Sequence, residues 1–207
     1  MTRGRFIALE GGEGVGKSTQ ARALAAALRG RGLDVVETRE PGGSAGAEAI
    51  RRLLLEGSAD RWTAGAEALL FAAARADHVA KTILPALDAG KWVVTDRFLD
   101  SSLAYQGGAE GFPVEKLRIL HDVGSAGLLP ERTLLLTLPA EEASRRTEAR
   151  DRGDSDRIGG RDAAFHARVA ENFALLAAAE PDRFRVIDAL GEAEIVTGRL
   201  LAALEDL

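Results

Sequence analysis

An α/β architecture, a parallel five-stranded sheet with helices on both faces, is what this chain predicts, on three observations. Short apolar, β-rich runs alternate with amphipathic helical patterns along all 207 residues. The strand runs are apolar almost throughout, as strands covered on both sides must be. The first run leads straight into a glycine loop and a helix, through Gly11-Gly12-Glu13-Gly14-Val15-Gly16-Lys17-Ser18. That is the G-x-x-x-x-G-K-[ST] loop, so the expected fold is of the P-loop NTPase type. By length, residues 1–207 read as one domain, with no internal repeat and no proline-rich linker.

The elements run in order. Phe6–Leu9 is short enough for a buried strand, and Ser18–Leu28 spaces Ala and Leu as a helix that stops at Gly30 and Gly32. Between them, successive N–H groups point inward at a helix N-terminus, which makes an anion site. Lys17 reaches terminal phosphates, the Ser18 hydroxyl can hold Mg²⁺, and Gly11 through Thr19 form the ATP-phosphate cradle. Leu33–Glu37 is the second strand and runs out into Thr38-Arg39-Glu40-Pro41-Gly42-Gly43. Helical patterns cover Ala47–Leu55 and Ala64–Leu87, before the third strand Trp92–Thr95 and its extension Asp96-Arg97-Phe98. Helix Val114–Val123, strand Thr133–Leu138, helices Ala140–Arg150 and Ala163–Ala179, strand Phe184–Ile187 and helix Ile195–Leu204 complete the chain. Ligands of open α/β sheets sit outside the carboxyl ends of the strands, so Arg39 and Arg97 project toward the phosphate loop and suit a second phosphate. Asp96 stands where a carboxylate steadies Mg²⁺ or its waters.

Two further segments carry information. In Ala64–Leu87, the residues Leu69, Ala73, Ala76, Ala80, Ile83 and Leu87 form one apolar stripe, expected to be the core face. Phe71, Arg75 and His78 form a second stripe, open to two readings: a packing or dimer surface, or an aromatic ring stacked on a base with Arg75 one turn on. His78 reads as a surface or hydrogen-bonding residue rather than a metal ligand. Arg145 to Arg161 holds six arginines, with Gly153, Gly159 and Gly160 as flexible points. Beside a phosphate loop it reads as a mobile, arginine-rich lid.

Composition narrows the classes. The absence of cysteine excludes disulfides, thiolate ligands and a cysteine nucleophile, and is compatible with a reducing cytoplasm. A net charge of −5 argues against a general nucleic-acid surface. No apolar run approaches the ~20 residues of a membrane span. The loop alone names a nucleotide and not a reaction, since GTPases, motors and small-molecule kinases all carry one.

Four stretches, taken together, resemble the bacterial thymidylate kinase family nearly end to end. They are Glu10-Gly11-Gly12-Glu13-Gly14-Val15-Gly16-Lys17-Ser18-Thr19, Thr38-Arg39-Glu40-Pro41-Gly42-Gly43, Phe71-Ala72-Ala73-Ala74-Arg75, and Asp96-Arg97-Phe98 through Ser101-Ser102-Leu103-Ala104-Tyr105-Gln106-Gly107. The resemblance implies a homodimer that uses ATP and Mg²⁺ to phosphorylate dTMP to dTDP, on the way to dTTP. It implies that Phe71 stacks on thymine while Arg75, Ser102 and Gln106 read its polar edge. Arg39 and Arg97, with Arg51 as a further candidate, would bind the acceptor phosphate. Glu13 would receive the 3′-hydroxyl, and Tyr105 would crowd the 2′ position. Three positions depart from relatives: Phe98 replaces a common Tyr, Thr137 a common Asp or Asn, and Gly14 an arginine that some members place in the loop. With glycine there, the transferring group must be neutralised from the lid, by Arg146 or Arg150, with Arg152 and Arg157 less well aligned. Competing readings are another monophosphate kinase, a deoxynucleoside kinase with Glu40 as base, and a nucleotide-dependent switch.

Overall fold

In the computed structural model, residues 3–58, 60–151 and 157–207 are described, with only the backbone of Arg150 and Asp151. Five strands, β1 (Phe6–Glu10), β2 (Val35–Arg39), β3 (Trp92–Asp96), β4 (Arg132–Thr137) and β5 (Phe184–Asp188), form one sheet in the order β2-β3-β1-β4-β5. Every pairing is parallel. Side chains alternate across β1. Ile7 and Leu9 join Leu24 and Leu28 of α1 (Lys17–Gly30) and Val196 and Leu200 of the last helix; Phe6 and Ala8 meet Ile83, Leu87, Phe98 and Leu99 on the other side. Both faces of the sheet are therefore covered, as the unbroken apolar strands require.

The remaining helices are α2 (Ala45–Leu55), α3 (Ala64–His78), α4 (Leu84–Asp88), α5 (Leu99–Ser102), α6 (Val114–Ser125), α7 (Ala140–Asp151), α8 (Ala163–Ala179) and α9 (Ala193–Ala202). Ser44, Thr63 and Asp162 cap α2, α3 and α8 by accepting from the backbone N–H three residues on. The second strand begins two residues later than its hydropathy suggests, with Leu33 packed on the core from the preceding turn.

Two expectations fail for identifiable reasons. The stripe Leu69, Ala73, Ala80 is not a core face: all three are exposed, Leu69 by 57%, whereas Ile83 and Leu87 are buried. Between the two halves, Val79–Ile83 forms a wide π turn linking α3 to α4. The extra residue rotates all downstream side chains by about 100°, so one regular stripe in sequence lies on two different sides. Second, no helix is expected between β3 and α6, yet Leu99–Ser102 is helical and continues as a π turn over Leu103–Ala109. Ser101, Ser102, Gly107 and Gly108 are poor helix formers. The segment is held instead by tertiary bonds, among them the Asp100 carboxylate, fully buried and gripped by both terminal nitrogens of Arg183 at 2.7 and 2.8 Å.

Leu24 is fully buried between α1 and the sheet. Leu24→Ala is expected to cost about 3 kcal/mol in urea unfolding; a loss near zero would mean that the α1 face is not close-packed.

Candidate active site

The carboxyl ends of β1, β2 and β3 lie in register, with Leu9 and Arg39 both paired to Asp96. The segments leaving these strands therefore share one cleft of about 560 Å³. Its lining includes Glu13, Gly14, Gly16, Lys17, Ser18, Thr19, Arg39, Arg51, Phe71, Arg75, Asp96, Arg97, Ser102, Tyr105, Gln106 and Arg146. Gly11, Gly12 and Val15, also expected in the cradle, line a neighbouring cavity behind the loop instead. The side chain of Arg150, and all of Arg152, lie outside the described residues.

In the loop, Gly16 caps α1 at φ 93° and lets the chain turn into the helix. Lys17 Nζ donates to Gly12 O at 2.5 Å; burial lowers its pKa to about 8, against the attraction of Glu13 and Asp96. A phosphate in the cradle would restore the charge that burial disfavours. Ser18 Oγ donates to Asp96 Oδ2 at 2.5 Å, and Asp96 Oδ1 is buried with no hydrogen-bond partner among the described residues. A hydroxyl and a carboxylate with one orphaned oxygen, beside a phosphate cradle, fit Mg²⁺, which takes one or two protein oxygens and fills its octahedron with water and phosphate.

Arg97 is the centre of a second polar cluster in the cleft. It is a non-glycine residue at φ 71°, a conformation that costs roughly 1–3 kcal/mol and persists only where its surroundings enforce it. The enforcing group is Glu10, whose Oε1 accepts from Phe98 N at 2.8 Å and Ser101 N at 3.1 Å, and whose Oε2 accepts from Ser101 Oγ at 2.6 Å. So held, Arg97 reaches Glu13 Oε1 at 2.5 Å, Ser101 Oγ at 3.2 Å and Tyr105 OH at 3.2 Å, with its guanidinium over the Tyr105 ring. Tyr105 OH also donates to Glu13 at 3.2 Å. Arg39 is more exposed and faces Glu48 at 3.4 Å, while Arg51 donates to Pro41 O at 2.7 Å.

A second chain of polar contacts lines the other end. Arg75 Nε donates to Glu40 Oε2 at 2.8 Å and its Nη2 to Ser102 Oγ at 2.8 Å. His78 is fully buried, pairing Nδ1 with Glu40 Oε1 at 3.0 Å and Nε2 with Thr38 Oγ1 at 2.7 Å. It is thus a hydrogen-bonding residue and not a surface one. Both oxygens of Glu40 are engaged, so it is poorly placed to be the base of a hydroxyl-directed kinase. Gln106 donates to Glu67.

The three departures acquire physical accounts. Phe98 is fully buried, edge-on to Phe6 at 4.9 Å and to His121 at 5.6 Å, and packs there as an apolar ring. Thr137 donates to Ile187 O at 3.3 Å across β4 and β5. A Cβ on Gly14 would lie 2.2 Å from Ala143 O, so α7 docks on the bare loop and carries Arg146 into the cleft, tethered to Glu142 at 2.7 Å. Of the other lid candidates, Arg157 is buried against Glu67 and Leu54 O and does not line the cleft.

Sequence reasoning missed Glu10, Glu48 and Glu67 as partners of the cations. Glu67 had a signal, since it extends the Phe71, Arg75, His78 stripe back by one turn. Burial and then the nearby charge of Asp100 push the Glu10 carboxyl up to about 7. The native state therefore holds this proton more tightly than the unfolded chain. Its stability contribution is complete below about 4.5 and is lost as pH rises through about 7. Across that window the parent is expected to lose about 3 kcal/mol more than Glu10→Gln, read from Tm against pH; parallel curves would remove Glu10 as the source.

Comparison with known proteins places this cleft in context. A family model described as thymidylate kinase matches residues 9–199. A curated thymidylate kinase of Rhizorhabdus wittichii is 69% identical over 99% of this chain and 98% of its own, and one of Caulobacter vibrioides is 48% identical over 100% and 97%. The crystal structure of thymidylate kinase from Ehrlichia chaffeensis superposes with a TM-score of 0.78 at 30% identity, covering 98% of this chain and 99% of that one.

Proposed function

The chain belongs to the thymidylate kinase family, and from that premise we propose that it transfers the γ-phosphoryl group of ATP in line to the phosphate of dTMP. The products are dTDP and ADP, the step feeds dTTP synthesis, and it proceeds with Mg²⁺ in the cytoplasm, with residues 145–161 as the lid. One observation carries this reading: a phosphate loop and a second cationic site, Arg39 and Arg97, share one cleft with Phe71, Arg75 and Gln106. A nucleotide switch has no use for the second site.

The chemistry derives from charge. The second pKa of a phosphate monoester lies near ~6, so the attacking oxygen is largely ionised at neutral pH and needs no base. What the protein supplies is the meeting of two polyanions. Arg39, Arg97 and Arg51 neutralise the acceptor. Lys17 and a lid arginine, Arg146 or Arg150, stabilise charge on the transferring group. Mg²⁺, held by Ser18 and steadied by Asp96, would add neutralising charge at the ATP phosphates. Phe71 stacks on thymine, with Arg75, a donor only, and Ser102 and Gln106, which can donate or accept, at its polar edge. Glu13 accepts from the 3′-hydroxyl, and Tyr105, buried beside it, leaves little room for a 2′-hydroxyl. The lid excludes water that would otherwise take the phosphoryl group.

The test is ADP release across dTMP, dUMP, dCMP, AMP, GMP and thymidine. Strong turnover with dTMP, weaker with dUMP and almost none with the others is expected. Preference for another monophosphate would overturn the base assignment, and no turnover with any acceptor would favour the switch.

A homodimer also belongs to this proposal. Leu69, Ala73 and Ala80 of α3 and the turn after it are exposed, and the neighbouring α6 adds Ile119 at 59% and Val123 at 83% exposure. Such a patch is the sort that a second copy covers. Sedimentation at micromolar concentration is expected to give a dimer that Leu69→Asp converts to monomer; a parent that already sediments as a monomer rejects it.

A further inference from the structure

Glu67 is buried, with 2% of its surface exposed, one helical turn before Phe71. A carboxylate in such a place needs partners for both oxygens. Oε1 accepts from Gln106 Nε2 at 3.0 Å. Oε2 faces Arg157, whose side chain is wholly buried, and Arg161 at 3.6 Å. Arg157 also donates from Nε to Leu54 O at 2.8 Å, while Arg161 pairs with Glu110 and lies 4.5 Å over the Phe165 ring. Both arginines come from the lid segment, and Gln106 lines the cleft. One carboxylate thus joins the lid to a group at the far end of the substrate site.

From this geometry we propose that Glu67 is a positioning residue for base selection: it fixes which way the Gln106 amide faces, and it does so because lid arginines pair with its charge. The inference rests on the base-reading role of Gln106 proposed above. An ionised carboxylate only accepts hydrogen bonds, so it binds the NH₂ end of the amide and rejects the oxygen. Gln106 Oε1 is then the atom left for the cleft, and it is an acceptor. Thymine and uracil present an N3–H donor to it, whereas cytosine presents a lone pair at N3 and repels it. A glutamine without Glu67 could offer either end and would discriminate poorly. Arg157 and Arg161 hold Oε2 of Glu67 in place. With Arg157 gone, the carboxylate keeps only Arg161 as a cationic partner and can rotate toward it, off Gln106 Nε2, which releases the amide to turn. Discrimination among bases is therefore complete only when the lid arginines are seated.

The experiment compares kcat/KM for dTMP and dCMP in the parent, Gln106→Ala, Glu67→Gln, their double variant and Arg157→Met, with folding checked by circular dichroism. Glu67→Gln is expected to lower the dTMP preference by about tenfold or more while the KM for ATP stays within about twofold. The double variant should be no less selective than Gln106→Ala alone, because both changes act through one amide. Arg157→Met is expected to lower the preference in the same direction, and it carries the test if Glu67→Gln does not fold. Parent-like preference in Glu67→Gln, with Gln106→Ala impaired, overturns the inference while leaving the base-reading role intact. Parent-like preference in Gln106→Ala overturns that role first. Parent-like preference in Arg157→Met overturns the link to the lid.

Discussion

Positive charge must be gathered in this cleft before any phosphate arrives to neutralise it, and the rest of the structure answers to that constraint. Most of the arginines are lent a carboxylate. In the cleft, Arg97 is paired with Glu13, Arg75 with Glu40, Arg39 with Glu48 and Arg146 with Glu142, and just outside it Arg157 is paired with Glu67. The pairs differ in burial, and burial decides what each can do. Arg75–Glu40 and Arg157–Glu67 are sealed from water, where breaking a pair leaves an uncompensated charge at a cost of about 3–5 kcal/mol. They are therefore fixtures of the native state. Arg39–Glu48 and Arg146–Glu142 are solvated, worth little, and easily exchanged for a phosphate. The cleft thus combines rigid cations that define a shape with loose ones that can track an incoming anion.

Much of this was legible in sequence, and the reasons for the remainder are specific. The phosphate loop, both strand-end arginines and the Phe71–Arg75 stripe were legible because each rests on local spacing. Spacing survives folding wherever the backbone is regular. The wide turn at Val79–Ile83 broke that premise, since amphipathic counting assumes a constant number of residues per turn, and the stripe it traced was split. The Leu99–Ala109 segment was illegible for another reason. Its serines and glycines carry no helical preference, and the helix exists because Glu10, Asp100 and Arg183 supply its bonds from elsewhere in the chain. The acidic partners escaped because a lone glutamate in a helix looks like a solvated one until the neighbouring elements are in place. Gly14 shows the reverse. Its lack of a side chain read as a missing charge, and the close approach of Ala143 shows the same gap used to seat α7.

Strain and support are concentrated at the end of β3. Arg97 adopts a backbone conformation that its side chain disfavours, and the carboxylate at the end of β1 clamps the next turn to keep it there. The two strands are adjacent and in register, so the clamp spans the shortest distance available in the sheet. Without that clamp the residue just past the strand would be free to relax, and its guanidinium would lose its fixed place over the Tyr105 ring.

The wide turn between α3 and α4 also changes which mutations the helix can absorb. Upstream, Glu67, Phe71, Arg75 and His78 face the cleft and its polar lining; downstream, Ile83 and Leu87 face the sheet. One continuous rod serves two neighbours that lie in different directions, and the extra residue supplies the angular offset between them. Side chains within Val79–Ile83 are therefore exchangeable at ordinary packing cost. The number of residues is not, because removing one would turn every downstream side chain by about 100° and set the two halves at odds. In this stretch the chain stores its information as a length.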